Sequence, residues 1–247
     1  MAMVTRKVSS AVAAGCTVIL KPSELTPITA LELGSLSLEA GFPPGVFNIV
    51  NGQPAMIGKV LSTNPVIKKI TFTGSTEVGK LLMKNSSSTV KNISLELGGN
   101  APFIVFSDAD LDAALNGFMM AKFRNAGQTC ISANRLFVHK SVSNIFTSKL
   151  LERLKKLKVG DGMNGSDIGP LISNEALKKV INHVSDAKKN GAKILFGGNK
   201  HKLGGLFFEP TLISNVKKNM KVFQKENFGP IIPVSYTHLR AHETLPY

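Results

Sequence analysis

The sequence contains no tryptophan and only two cysteines, and these shortages exclude several classes of protein. Aromatic residues make up 6% of the 247 residues, too few for a surface that stacks single-stranded nucleic acid. Two cysteines cannot build a disulfide framework or a cysteine zinc site, and the five histidines show no HxxxH or HExxH spacing. We therefore expect no metal site, and a reducing compartment such as the cytoplasm, or the mitochondrial matrix in a eukaryote.

Long apolar segments are also missing. No run approaches the roughly 20 apolar residues that cross a bilayer, so we expect no membrane-spanning segment. Residues 1–20 are basic and then apolar, as in a secretory signal, but Ser9, Ser10 and Gly15 interrupt the apolar stretch. No site typical of signal cleavage follows, so we do not predict a signal peptide.

Acidic residues are few, with 16 Asp and Glu against 30 Lys and Arg, which gives a net charge of +14. One interpretation is a nucleic-acid or membrane partner. The other, which we favour, is a lysine-rich solvated surface that raises the local concentration of anionic ligands. Its support is that lysine pairs lie in segments with helical apolar spacing, at 155–156, 178–179 and 188–189.

Alternating strand and helix patterns predict an α/β fold with a parallel sheet covered by helices on both faces. Thr26 and Pro27 supply a hydroxyl cap and a first-turn proline for the second helix. Gly98 and Gly99 break the pattern, and we place a domain boundary between residues 97 and 98. The predicted strands cover 17–20, 46–50, 69–73, 90–97, 102–106, 136–138 and 193–196, and the longer helices cover 3–14, 26–40, 110–123, 142–157 and 173–190.

Two loops of the first domain have features of a nucleotide site. Residues 72–79 (FTGSTEVG) end a strand, turn at glycine and begin a helix, whose free N–H groups and positive dipole end attract phosphate. Their spacing is not GxGxxG, and an ordinary strand–helix turn is the alternative. In residues 21–24 (KPSE) a carboxylate follows a strand, where it can bind ribose hydroxyls; a surface loop charge is the alternative.

Glu96 is the first candidate for chemistry. It lies at the end of an apolar strand, before two glycines, where burial of a carboxylate costs free energy unless the group is paired or protonated. Such a group is a candidate general base. The alternative is a glutamate that caps the turn.

The two cysteines differ in their surroundings. Glycine, glutamine and threonine precede Cys130, and Ser132 follows two positions later, which indicates a polar, accessible turn. A free thiol is a few per cent thiolate at neutral pH and is already a good nucleophile. Cys16 lies in an apolar segment and is expected to be a buried small hydrophobe.

In combination, LELGGN at 95–100 and GQTC at 127–130 resemble the aldehyde dehydrogenase superfamily, and the resemblance covers roughly residues 3–234. It implies a Rossmann-type parallel-sheet cofactor domain over residues 1–97, followed by an α/β catalytic domain over 98–234, both partial. It also implies that Cys130 attacks the aldehyde carbon. Glu96 then activates the water that hydrolyses the resulting thioester.

The resemblance also assigns the cofactor, NAD or NADP. Glu226 and Phe228 match the family segment that holds the nicotinamide ribose and ring. A carboxylate at Glu24 accepts from the 2′-hydroxyl of the adenosine ribose and repels a 2′-phosphate, so we predict a preference for NAD. The remaining cofactor-binding residues that the resemblance implies are Lys21, Ser23, Gly74, Ser75 and Gly79.

Residues 3–7 (MVTRK) and 122–125 (KFRN) resemble the succinate-semialdehyde dehydrogenase subgroup. There, arginines at the positions of Arg6 and Arg124 bind the distal carboxylate of the aldehyde, and a guanidinium fork suits a carboxylate. Structural salt bridges are the alternative role for both arginines. Another small aldehyde, such as glutarate semialdehyde, is the alternative substrate.

Residues 235–247 (SYTHLRAHETLPY) match nothing expected of the family, and we interpret them as a read-through or assembly artefact. The family region upstream, with an asparagine of the oxyanion hole, is also absent. We therefore expect this chain to be inactive by itself and its parent enzyme to be an active homo-oligomer, with no nucleic-acid or membrane partner. A non-enzymatic basic binding module is the alternative of another class.

Overall fold

A computed structural model describes residues 2–237 of the chain. The chain divides into two compact units, one ending at Leu97 and the other beginning at Gly98. Each unit is α/β, as predicted, and each is described separately below.

The first unit alternates helices with short parallel strands. Strands β1 and β2 pair in parallel, with Val18 opposite Phe47, and β3 and β4 pair in parallel, with Thr73 opposite Glu96. Within residues 2–97 these are two separate pairs rather than the single sheet predicted. The elements are α1 (Ala2–Ala13), β1 (Val18–Leu20), α2 (Ile28–Glu39), β2 (Phe47–Ile49), α3 (Pro54–Thr63), β3 (Lys69–Gly74), α4 (Thr76–Ser86) and β4 (Asn92–Leu97).

Two local predictions in the first unit are wrong. Thr26 does not cap α2: Pro27 is the N-cap residue and makes no side-chain capping bond, because the helix begins after the proline. Cys16 is exposed rather than buried. Gly15 has a left-handed φ of 78°, and the Cys16 N–H bonds the Ala11 carbonyl at 2.9 Å. Cys16 therefore belongs to the helix-terminating turn and not to the apolar face of α1.

The second unit contains a five-stranded sheet in the order β5-β6-β9-β8-β7. The sheet is parallel except that β7 runs antiparallel to β8. Strands β8 and β9 were not predicted from the sequence. The elements are β5 (Pro102–Val105), α5 (Leu111–Phe123), β6 (Arg135–His139), α6 (Ser143–Lys156), α7 (Asn174–Lys189), β7 (Lys193–Phe196), β8 (Thr211–Ser214), α8 (Lys221–Gln224) and β9 (Ile231–Thr237).

Helices pack on this sheet through two groups of buried side chains. One group joins α5 and α6 to the sheet through Phe118, Phe146 and Leu150. The other packs α7 against it through Val180 and Val184. These contacts fix the end of α5, from which the Cys130 segment leaves.

Strand β9 runs past Val234, the residue at which the family resemblance was predicted to end. Ser235 and Tyr236 pair with Phe137 and Val138 of β6. The first residues of the predicted tail are therefore part of the central ladder of the sheet. Residues 238–247 lie outside the described residues.

Candidate active site around Cys130

The segment after α5 has an unusual backbone. Asn125, Ala126 and Gly127 are all left-handed, with φ of 52°, 56° and 77°. Left-handed geometry at non-glycine residues costs free energy and persists only where surrounding contacts impose it. Such residues concentrate at functional sites, so this segment is a candidate site on backbone geometry alone.

Contacts on both sides hold the segment in this geometry. A Cβ at Gly127 would lie 2.4 Å from the Gly229 carbonyl oxygen, so the two backbones approach as closely as only glycine permits. On the other side, Gln128 donates from Nε2 to the Pro170 carbonyl at 3.3 Å and accepts from the Ile172 N–H at 2.9 Å. Gln128 therefore anchors the residues before Cys130 to the loop ahead of α7.

Cys130 itself lies in a turn and is half-buried. The Ser132 N–H closes the turn by bonding the Thr129 carbonyl at 3.1 Å. Within residues 2–237, nothing accepts a hydrogen bond from the Cys130 N–H. The turn thus presents a thiol and a free N–H donor from one residue, which is the arrangement that a thiol nucleophile with an oxyanion donor requires.

The Glu226 segment meets Gly98 and Gly99. Glu226 Oε1 accepts from the Gly99 N–H at 3.3 Å, and a Cβ at Gly98 would lie 2.5 Å from Glu226 Oε2. Phe228 is half-buried and left-handed, with φ 51°. The glycine pair, which the sequence indicated as a domain break, is also the place where the backbone makes room for this carboxylate.

Asn227 ties the same segment to the interior. It is fully buried and donates from Nδ2 to the carbonyls of Asn134 and Val222, both at 3.3 Å. Its Oδ1 lies 2.9 Å from Nδ1 of the buried His183. Asn227 and His183 position Glu226 and Phe228, and the sequence analysis did not identify either of them.

Lys122 is the least expected member of the site. Its side chain is completely buried, although Lys is among the residues least often found fully buried. Burial lowers the pKa of Lys122 to about 7, and the Glu226 carboxylate partly offsets this shift. From the sequence, Lys122 was named only as part of the KFRN motif.

The two candidate substrate arginines are exposed. Arg124, directly before the left-handed residues, lies in the second unit, and Arg6, on α1, lies in the first. Neither forms an ion pair with any of residues 2–237. The alternative role, structural salt bridges, is therefore not supported in the described part of the chain.

Glu96 lies on the exposed face of β4, which corrects the expectation that it is buried. Side chains alternate along a strand, so Glu96 shares its face with Ser94, while Leu95 and Leu97 point to the other. Across the ladder, Thr73 Oγ1 accepts from Nζ of Lys7 at 2.7 Å. Desolvation lowers the pKa of Lys7, and Glu96 opposes that effect.

The loop after β1 is ordered around an ion pair. Lys21 Nζ lies 2.6 Å from Glu24 Oε2, and the Lys21 ammonium beside it lowers the pKa of Glu24. The Ser23 hydroxyl accepts from the Leu25 N–H at 3.3 Å. The exposed Glu24 carboxylate thus stands at the carboxyl end of a parallel strand, the edge at which dinucleotides bind in α/β folds.

The turn between β3 and α4 has the features of a phosphate site. Ser75 caps α4 by accepting from the Val78 N–H at 3.3 Å. A Cβ at Gly79 would lie 2.6 Å from Leu97 Cδ2, so Gly79 permits close packing of α4 on β4. A Cβ at Gly74 would lie 2.4 Å from the Phe72 ring. The helix therefore offers its N-terminal dipole end directly beyond a strand.

Two features are absent from residues 2–237, a membrane-spanning helix and a metal-ligand cluster. No helix there is long and apolar enough to cross a membrane. No group of three or more His, Cys, Asp or Glu residues there is arranged to hold a metal ion.

Comparison with known proteins identifies the family. The aldehyde dehydrogenase family matches residues 1–242. The chain belongs to the aldehyde dehydrogenase family. This confirms the resemblance seen in LELGGN and GQTC, and the α/β fold class predicted with it.

Similar aldehyde dehydrogenases have names that point to semialdehydes. The succinate-semialdehyde dehydrogenase [NADP(+)] of Escherichia coli is 51% identical over 94% of this chain and 48% of its own length. The glutarate-semialdehyde dehydrogenase of Pseudomonas aeruginosa gives the same three values. The crystal structure of succinate-semialdehyde dehydrogenase from Burkholderia pseudomallei superposes with TM-score 0.94 at 51% identity, covering 96% of this chain and 49% of that one.

The chain spans about half the length of the curated relatives it matches. One of the two curated names refers to a four-carbon semialdehyde and the other to a five-carbon semialdehyde, and both relatives are equally identical to this chain. The predicted preference for NAD and the assignment of individual site residues stay predictions.

Proposed function

We propose that this chain is part of an NAD(P)-dependent aldehyde dehydrogenase that oxidises succinic semialdehyde to succinate. The observation that carries the proposal is the Cys130 turn. A half-buried thiol and an unpaired N–H of the same residue follow a strained backbone segment, residues 125–127, that close contacts hold in place. The geometry suits attack on a carbonyl carbon and stabilisation of the resulting oxyanion.

In the proposed reaction, the Cys130 sulfur forms a bond to the aldehyde carbon as a thiolate. The carbonyl electron pair moves to the oxygen, which accepts a hydrogen bond from the Cys130 N–H. A bound nicotinamide supplies the hydride acceptor, and loss of hydride leaves a thioester on Cys130. Glu96 takes a proton from water, the hydroxide displaces the thiolate, and the carboxylic acid leaves.

The proposal assigns cofactor-binding roles to residues in each unit. Lys21, Ser23 and Glu24 would bind the adenosine ribose. The helix end at Gly74 and Ser75, with Gly79 behind it, would bind the pyrophosphate. Glu226 would accept from the nicotinamide ribose hydroxyls, and Phe228 would lie beside the ring. The donor and acceptor sets fit, since the exposed Glu24 and the half-buried Glu226 carboxylates suit ribose hydroxyls and a capped helix N-terminus suits phosphate.

The activity is tested by assaying two proteins with succinic semialdehyde and either NAD or NADP. One is the 247-residue chain, and the other is a hybrid in which the chain replaces the matching half of the Escherichia coli relative. Cofactor-dependent oxidation by the hybrid is expected, and the chain alone shows whether its residues suffice. A folded hybrid that leaves every aldehyde unchanged contradicts the proposal. Salt-dependent nucleic-acid binding by a chain with an unreactive Cys130 would instead support a basic binding module.

Replacing Glu24 by serine is expected to improve the use of NADP. The change removes an exposed carboxylate that would face a 2′-phosphate, and it releases Lys21 from its 2.6 Å ion pair. Exposed charge interactions contribute up to about 1 kcal/mol, so the NADP-to-NAD ratio of kcat/KM should rise roughly fivefold in the hybrid. Glu32→Ser, an exposed change on α2, is the control. An unchanged ratio in Glu24→Ser refutes the assignment.

The substrate proposal rests on the arginines. Arg124 lies on the strained segment that leads to Cys130, and its guanidinium is exposed and unpaired within residues 2–237. A guanidinium that no carboxylate of the described chain neutralises can bind the carboxylate of a substrate in a bidentate manner. Arg6, equally exposed on α1, is the other arginine to which the resemblance gives this role. Succinic semialdehyde fits this requirement, and glutarate semialdehyde remains the alternative.

Replacing Arg124 by alanine should therefore lower kcat/KM for succinic semialdehyde far more than for propanal. A charge-assisted hydrogen bond contributes about 1.5–3 kcal/mol, which corresponds to a loss of roughly ten- to a hundredfold. Propanal lacks a carboxylate and should be affected less than about twofold. Arg153→Ala, an exposed change on α6, controls for loss of surface charge. Equal losses on both aldehydes would contradict the role of Arg124.

A further inference from the structure

Lys122 is buried without an ion pair. Its exposed fraction is 0%, and within residues 2–237 no carboxylate lies within salt-bridge distance of its Nζ. The hydrogen-bond partners of Nζ are two neutral oxygens, Ser132 Oγ at 3.4 Å and Asn134 Oδ1 at 3.3 Å. Burying an ammonium group this way costs free energy. Packing alone does not require a charge here, because a methionine of similar length would fill the space.

Both partners of Lys122 lead to functional segments. Ser132 closes the Cys130 turn. Asn134 accepts from Lys122 through Oδ1, which leaves its Nδ2 to donate to the Gly99 carbonyl at 3.1 Å. The N–H of Gly99 in turn donates to Glu226 Oε1 at 3.3 Å. A continuous path of hydrogen bonds thus runs from the buried ammonium to the carboxylate.

A second link between the two charges acts through space. Glu226 is the carboxylate whose field opposes the desolvation of Lys122. A single buried amine therefore orients the amide of Asn134 and, through Gly99, the Glu226 carboxylate. Neither effect requires Lys122 to touch a substrate or a cofactor.

We propose that Lys122 is a positioning residue for cofactor binding, which acts through Asn134 and Gly99 to hold the Glu226 carboxylate in place so that it can accept from the nicotinamide ribose hydroxyls. The inference rests on the proposed function of Glu226. It adds to the cofactor site a buried lysine that acts without touching the cofactor. It predicts that Lys122 matters for the cofactor and not for the aldehyde, and that it acts only through Glu226.

The test is a double-substitution cycle with Lys122→Met, Glu226→Gln and both together. NADH binding, by fluorescence titration, and KM values are both measured in the hybrid. Lys122→Met should weaken NADH binding roughly tenfold and raise KM for the oxidised cofactor similarly. KM for the aldehyde should stay within about twofold. In the Glu226→Gln background, Lys122→Met should have almost no further effect.

Lys225→Met is the matched control, because it removes an exposed lysine one residue before Glu226. It should weaken binding less than about twofold, which separates positioning from general attraction of an anionic cofactor. Additive losses in the cycle, or equal increases of both KM values, would overturn the role of Lys122 while leaving the proposed function intact. Failure of the unsubstituted hybrid to bind NADH would overturn the proposed function and, with it, this inference.

Discussion

Replacing Cys130 by serine in the hybrid enzyme is expected to lower kcat/KM for succinic semialdehyde by at least about a thousandfold. A serine hydroxyl is almost entirely protonated at neutral pH, whereas a thiol is partly ionised and is intrinsically a strong nucleophile. In enzymes that use an activated nucleophile, removing that group costs several orders of magnitude in rate. The loss should appear in kcat with either cofactor, because the covalent step precedes hydride loss. Steady-state assays across a range of aldehyde concentrations measure it.

Cys16 provides the control for this experiment. It is the second cysteine, it is exposed, and Cys16→Ser should leave kcat/KM within about twofold. In the 247-residue chain carrying Cys16→Ser, Cys130 is the only thiol, so alkylation of that chain by iodoacetamide reports its reactivity directly, even without turnover. In any active protein, added aldehyde should protect Cys130 from alkylation by iodoacetamide. The mass of the peptide that contains Cys130 detects this protection. Substantial turnover in Cys130→Ser would remove the nucleophile from the mechanism proposed above.

The two cysteines show why the sequence analysis was right about one and wrong about the other. Around Cys130, glycine and polar neighbours predicted an accessible turn, and the thiol lies in a turn and is half-buried. Cys16 was assigned from the apolar residues around it, but Gly15 ends α1 and the following N–H closes the helix-terminating turn. A backbone capping motif therefore decided its exposure, and hydrophobicity did not.

Most elements of the fold follow from periodic patterns, and the missed strands lack such a pattern. All four residues of β8 are buried, as are the first four of β9, so no alternation of apolar and polar residues distinguishes these strands. Fully buried strands are hard to recognise because periodicity carries no signal in them. At Glu96, by contrast, the periodic signal was available. Polar and apolar residues alternate along β4, and applying that alternation would have predicted an exposed Glu96 side chain.

Lys122 was overlooked for a related reason. A lysine in the last turn of a helix is ordinarily a solvated residue that complements the helix dipole, and the sequence around α5 gives no contrary sign. Its burial depends on where Ser132, Asn134 and Glu226 lie after the chain has folded. Groups contributed by two other segments, one of them about a hundred residues away along the chain, cannot be found from local spacing.

Replacing Lys122 by methionine should stabilise the second unit even as it weakens cofactor binding. Burial lowers the pKa of Lys122 from 10.5 to about 7, and each pKa unit corresponds to about 1.4 kcal/mol. The buried ammonium therefore costs roughly 3–5 kcal/mol at pH 6, where both folded and unfolded states are protonated. Loss of two long hydrogen bonds offsets part of the gain. A net stabilisation of about 2 kcal/mol is expected at pH 6.

The pH dependence separates this effect from ordinary repacking. Between pH 7 and 10.5 the unfolded state binds more protons at Lys122 than the folded state, so the free energy of unfolding of the unsubstituted chain rises with pH across that window. Lys122→Met lacks this rise, and its advantage should shrink steadily towards pH 10.5.

Urea unfolding followed by tyrosine fluorescence is a suitable measurement for this prediction. The sequence has two tyrosines and no tryptophan, and Tyr236 lies on β9, so its fluorescence reports on the second unit. If Lys122→Met is more stable than the unsubstituted chain by the same amount at every pH, the gain comes from packing. A variant that is less stable at pH 6 would show that Lys122 serves the fold. A variant that is more stable and binds the cofactor more weakly would show that the buried charge is maintained at the expense of stability for the sake of the cofactor site.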